Sequence, residues 1–239
     1  MRTSASFAAL CLAAVSGVNA QFDDWKFGNM FSIGPTEAGI AKATWSLTPP
    51  SVPCGTQVDD PSHQPWMSIW VGISQSISDQ GTALFQPLLN WAPNNAQEGC
   101  PAPNNEWCVA ASTYDGAGQQ VAQPYVAIPS NSDLKFELTV DSSNAVTQKS
   151  AEDKNGKPPK AIFSSNECYL GTCGTLKGYS WSDVTVVLQK ADNNFGKTLS
   201  LTGATSSGLS TSDGGKTWKA KSIKINQDFF YADGSQKQC

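Results

Sequence analysis

Residues 70–91 read WVGISQSISDQGTALFQPLLNW, two apolar runs around a polar Ser/Asp/Gly segment. Read as a strand, residues 83–91 put Leu84, Gln86, Leu88 and Asn90 on one face and Ala83, Phe85, Pro87, Leu89 and Trp91 on the other, because side chains alternate along an extended chain. Apolar groups on both faces predict a central strand. Pro87 brings no backbone N–H, so a bulge or irregularity is expected there. Gln86 and Asn90 stand where leucines would be easier to bury, since an unpaired buried amide costs about 1–3 kcal/mol. Gln86 therefore belongs either to a polar network in the core or to a groove.

The same period of two recurs in KFELTV (135–140) and SIKI (222–225), and turn clusters such as APNN, PSNSD and TSDGG separate the runs. About ten to twelve short strands punctuated by Gly, Asn and Pro predict an all-β fold, a two-sheet antiparallel β-sandwich or jelly roll. No long helical stripe, repeat or low-complexity linker divides the chain, so residues 21–239 are expected to form one sandwich domain.

Residues 1–20, MRTSASFAALCLAAVSGVNA, have one basic residue, an apolar run and small residues before Gln21, the pattern of a secretory signal peptide cut after Ala20. A secreted, extracellular protein is expected, without a membrane span. Six cysteines follow the leader, and an even number in an exported chain predicts disulfides. Proximity favours Cys100 with Cys108 and Cys168 with Cys173, leaving Cys54 for Cys239. Arg2 is the only arginine, and the net charge of the whole chain is −4. That balance argues against nucleic acid and anionic membrane as partners. Without arginine forks, phosphates, sialic acid and uronic acids are poor ligands as well, which leaves a neutral polysaccharide or a peptide.

Several motifs have plain structural readings. TSDGGKTW (211–218) has the form of an Asp-box hairpin, with Asp213 accepting turn amides and Trp218 packing back on it. His63, the sole histidine, lies in a Pro-flanked, Asp-rich loop with no GxSxG elbow to supply a nucleophile, and a surface position is expected. The doublets Asp23-Asp24 and Asp59-Asp60 read as solvated turns, so no metal or cofactor is expected. Of eight tryptophans, most should be core. Trp70, Trp91, Trp107 and Trp181 are the ones expected to line a ligand groove with Gln86 and Asn90.

In order along the chain, WVGI (70–73), LFQ (84–86), NEWCVAASTYD (105–115), IPSNSDLKFELTVDSS (128–143) and CGTLKGYSWSDVTVVLQ (173–189) resemble the fungal glutamic peptidases, the eqolisins. The resemblance covers about half of the chain beyond the leader. It implies a concanavalin A-like sandwich and places Gln86 where that family has its catalytic glutamine. In the last motif Ser180-Trp181 stands where the resemblance implies a Glu-Trp pair, so the catalytic glutamate is expected to be missing. Serine does not replace a carboxyl group that activates water and protonates a leaving amine. Glu106, before Trp107, and Glu167, before Cys168, are the substitutes, with Glu106 preferred.

The expectation is thus a monomeric extracellular binding protein for a neutral glycan, an extended peptide or a host extracellular protein. An apoplastic effector or cell-death elicitor is the natural subtype in a plant-associated fungus. The alternatives are an acid endopeptidase using Gln86 with Glu106, or a glycan-cleaving enzyme pairing Glu106 with Glu137 or Asp183.

Overall fold

A computed structural model describes residues 24–129, 131–148, 151–154 and 157–239. The predicted signal peptide and Asp23 lie outside them. The described strands are β1 (Trp25–Phe27), β2 (Met30–Ile33), β3 (Ile40–Leu47), β4 (Trp66–Ser74), β5 (Leu84–Phe85), β6 (Leu88–Trp91), β7 (Trp107–Ala110), β8 (Ser112–Tyr114), β9 (Gln120–Ala122) and β10 (Val126–Ile128). They continue with β11 (Leu134–Val140), β12 (Ala145–Gln148), β13 (Ala151–Lys154), β14 (Ala161–Tyr169), β15 (Gly174–Leu176) and β16 (Tyr179–Leu188). The last four are β17 (Ser200–Thr202), β18 (Ala204–Ser206), β19 (Thr217–Ile225) and β20 (Asp228–Phe230).

Two antiparallel sheets make the sandwich. The first has the order β10-β7-β6-β4-β14-β2-β17, with β1 beside β14 and β5, β8 and β9 continuing from β4. The second has the order β13-β12-β11-β3-β16-β19-β18, and β15 and β20 form a separate pair. This is the two-sheet β-sandwich that the alternating runs predict.

Strand β4 shows why. Its residues Met67, Ile69, Val71 and Ile73 are buried in the core between the sheets, while Trp66, Ser68, Trp70, Gly72 and Ser74 face the other way. From the second sheet, Trp45, Leu138, Trp181, Val184, Val186 and Ile223 complete that core. The run 83–91 is interrupted at Gln86-Pro87, as the missing Pro87 donor requires, and Gln86 N–H turns to the carbonyl of Ser112 at 2.8 Å. Phe85, Leu89 and Trp91 still reach the core.

The disulfides are Cys54–Cys239, Cys100–Cys108 and Cys168–Cys173, the pairs that proximity favours. The Asp-box forms the expected hairpin. Asp213 Oδ1 accepts from the backbone N–H of Thr217 at 2.8 Å and of Lys216 at 3.2 Å, and Trp218 Nε1 donates to the Gly215 carbonyl at 3.1 Å. No described helix is long and apolar enough to cross a membrane.

Candidate functional site

A groove of roughly 410 Å3 lies on the outer face of the first sheet, and its floor is the second face of β4 with its neighbours. Strand register fixes the arrangement. In one row Ser68 stands between Asn90 of β6 and Glu167 of β14, and Phe27 of β1 extends the row beyond Glu167. In the next, Trp70 stands between Leu88 and Ser165. In the third, Gly72 faces Phe163, with Gln86 on its other flank. A Cβ on Gly72 would fall 2.7 Å from Leu84 Cδ1 and 3.0 Å from Gln86 Cβ, so the bare glycine makes room for the glutamine.

The two carboxamides have different surroundings. Asn90 Oδ1 accepts from Ser68 Oγ at 2.5 Å, and its Nδ2 donates to the Tyr125 hydroxyl. Gln86 is only 5% exposed, yet its Oε1 accepts no hydrogen bond among the described residues. Asn90 is therefore a fixed part of the wall, and Gln86 carries unused acceptor capacity. Glu167 is the acid of the groove floor. Burial pushes its carboxyl up to about 7, and the Trp70 indole beside it pulls the other way.

At one end of the groove the aromatic rings cluster. Trp25 and Tyr169 lie 4.8 Å apart by ring centroid, Trp66 and Tyr169 5.6 Å, and Trp25 and Trp66 6.0 Å. Phe163 meets Trp70 edge-on at 5.5 Å in the middle. Asp79, in the loop after β4, lies at the other end and is exposed, its Oδ1 accepting from Gly81 N–H at 2.9 Å. Among the described residues no lysine or arginine lines the groove.

Trp70, Gln86 and Asn90 line this groove together. Three of the predicted aromatic residues do not, because they point into the core between the sheets. Trp91 and Trp107 are in the inter-sheet core, donating from Nε1 to the carbonyls of Asn104 and Pro50, and Trp181 is in that core from the second sheet. Trp25 and Trp66 take their place. Trp66 is legible as the even-numbered partner of Trp70 on β4, whereas Trp25 has no such pattern around it.

The acids are also redistributed. Glu106 precedes β7 and is outside the groove lining; Glu167, ranked second from sequence, is within it. Ser180 lies opposite Lys224 in the second sheet, away from the groove, so the residue at that position says nothing about the groove's acid. Glu137 and Asp183 line a depression on the second sheet, where Glu137 pairs with Lys42 at 2.6 Å. His63 is largely exposed, and both Ser62 Oγ (2.9 Å) and Asp60 Oδ2 (3.2 Å) contact the same Nδ1. A relay needs the two ring nitrogens to serve different partners, so these three residues form a surface turn and no triad. No cluster of three or more metal-ligating side chains occurs among the described residues.

The chain is similar to eqolisin peptidases. Scytalido-glutamic peptidase with a peptide-based transition state analog has a TM-score of 0.45 and 12% identity, covering 83% of this chain and 97% of the other. SCP-B, an eqolisin in complex with the tripeptide Ala-Ile-His, has a TM-score of 0.43 and 11% identity, covering 83% and 97%. CG-16, a homodimeric agglutinin from chicken liver, has a TM-score of 0.31 and 9% identity, covering 64% and 99%. No family model and no curated protein matches. The assignment of a sandwich rests on the strands themselves.

The register also limits what chemistry the groove can do. Glu167 and Gln86 are two rows and two strands apart, which puts roughly 16 Å between their backbones. The place across Gly72 from Gln86 is taken by the hydrocarbon of Phe163. Glu167 lies beside Ser68, and Asp79 lies past Ser74, about 20 Å along β4 at the rise of a strand. Paired glycosidase carboxyls stand roughly 5–10 Å apart.

Proposed function

We propose that the protein binds, without cleaving it, an extended glycan free of acidic groups along the groove of the first sheet. The observation that carries this reading is the Gln86 carboxamide, nearly buried in the groove floor with an unused acceptor and no carboxyl group in its row. An acceptor of that kind, among aromatic rings, suits hydroxyl donors on a sugar face. A peptide would want the unpaired backbone groups of a strand edge, and a groove on a sheet face offers side chains instead. Absence of lysine and arginine from the lining, among the described residues, fits a ligand without anionic groups.

Affinity gels and calorimetry on chitin, glucan, xylan and mannan oligomers test the reading. Retention on at least one glycan, weakened about tenfold or more by Gln86→Ala and by Trp66→Ala, is the expected result. No retention on any of them overturns it. Casein digestion near pH 3 is expected to give no products, and cleavage lost in Gln86→Ala would establish the peptidase reading instead.

A further inference from the structure

We infer that the Glu167 end of the groove is a recognition site for an ammonium group, so that the glycan it holds carries a free amine on at least one sugar. This rests on the glycan reading and specifies the ligand's chemistry. Glu167 is flanked in its row by Phe27 and Ser68, and the Trp25, Trp66 and Tyr169 rings stand at the same end. A carboxylate walled by aromatic rings is the arrangement that holds an organic cation, since ring faces attract positive charge and the acid neutralises it.

Among the described residues the protein supplies no cation of its own there. Lys26, on the strand beside Glu167, pairs with Cys168, so its side chain leaves from the opposite face, and its Nζ donates to the Gly171 carbonyl at 3.0 Å. The other titratable groups around Glu167 are neutral or acidic: Tyr169 on its own strand, Tyr125 beyond Asn90 with Glu98 near it, and Asp228 and Tyr179 under β14. Burial without a counter-ion holds the Glu167 carboxyl near 7, so the site is occupied by a proton at low pH and open to another cation once that proton leaves. A hydroxyl-only sugar satisfies the oxygens but leaves the charge uncompensated, whereas an ammonium satisfies both.

The test uses calorimetry with hexamers of glucosamine and of N-acetylglucosamine at about pH 6.5, on the wild-type protein and on Glu167→Gln. Wild type is expected to favour the amine form at least tenfold, with the preference reduced to about twofold or less in Glu167→Gln. Equal affinity of wild type for both hexamers overturns the ammonium site and leaves the groove reading standing; binding of neither also overturns the ammonium site, and the glycan panel alone then decides the groove reading. A preference kept by Glu167→Gln removes Glu167 from the role, and a lysine hexamer binding tighter than glucosamine overturns the sugar as the source of the amine. A measurement on wild type alone gives a second handle. An N-trimethylated glucosamine hexamer, whose charge does not titrate, is expected to bind at least tenfold tighter at about pH 8 than at about pH 5, following ionisation of Glu167. An affinity flat across that range overturns the proposal.

Discussion

Glu167 ties stability to pH through a single carboxyl. Its folded pKa of about 7 lies above the ordinary 4.5, so between those values the folded protein holds a proton that the unfolded chain has released. Its contribution is then most favourable below about pH 4.5, declines as pH rises through 7, and stays level above. Glu167→Gln is expected to remove that decline and to be more stable than wild type at pH 8 by on the order of 2–3 kcal/mol. Denaturant titrations of both proteins at about pH 4 and pH 8 check this, and parallel pH slopes would count against it. At Gln86 an apolar replacement removes an acceptor that has no partner, so Gln86→Leu is expected to match or exceed wild-type stability by up to about 1 kcal/mol while losing glycan binding. A loss of several kcal/mol would mean that the carboxamide is a structural core group.

At the level of elements, β14 carries two functions on alternate residues. Glu167 faces the groove, and Asn166 faces inward, where its Nδ2 donates to Asp228 Oδ2 at 2.6 Å and its Oδ1 accepts from the Tyr179 hydroxyl at 2.6 Å. Asp228 Oδ2 also accepts from Asn29 N–H at 2.7 Å, so Asn166 joins β14 to β16 and β20. Asn166→Ala takes one of two donors from a buried carboxyl and leaves a buried phenol without its acceptor, with an expected cost of roughly 2–4 kcal/mol by denaturant midpoint; a change under about 0.5 kcal/mol would contradict the network. Period-two alternation made β4 and the 83–91 run readable, and with them Trp70, Gln86 and Asn90. The same rule reads KAIFSS but gives no reason to extend that strand through Asn166, Glu167 and Cys168, because Asn166 finds Asp228 of β20, Glu167 faces a groove built by distant strands, and neither is visible locally. Alternation already sets Trp91 on the face opposite Gln86 and Asn90, and core-facing Phe85 and Leu89 go with it, so ring size is no guide to the groove where alternation points the other way; for Trp107 the pattern divides the strand into two faces without saying which is core.

For the molecule as a whole, the two sheets share one core, and the disulfides hold it at different ranges. Cys54–Cys239 spans a sequence separation of 185, Cys100–Cys108 only 8. In the chain-entropy account a long loop constrains the unfolded state more. Replacing Cys54 and Cys239 by serine is expected to cost about 5 kcal/mol, and the same replacement of Cys100 and Cys108 about half of that. Thermal and denaturant unfolding of the two variants make the comparison; equal losses would show that native-state contacts, rather than loop length, set the values.

Because the groove floor is a hydrogen-bonded ladder, the spacing of its side chains follows the spacing of the strands. Residues 66, 68 and 70 of β4, with their neighbours on β6 and β14, form a palette of interchangeable side chains over a fixed canvas. Relatives or engineered variants can therefore acquire new preferences by changing every second residue, while the interleaved residues that pack the interior stay as they are.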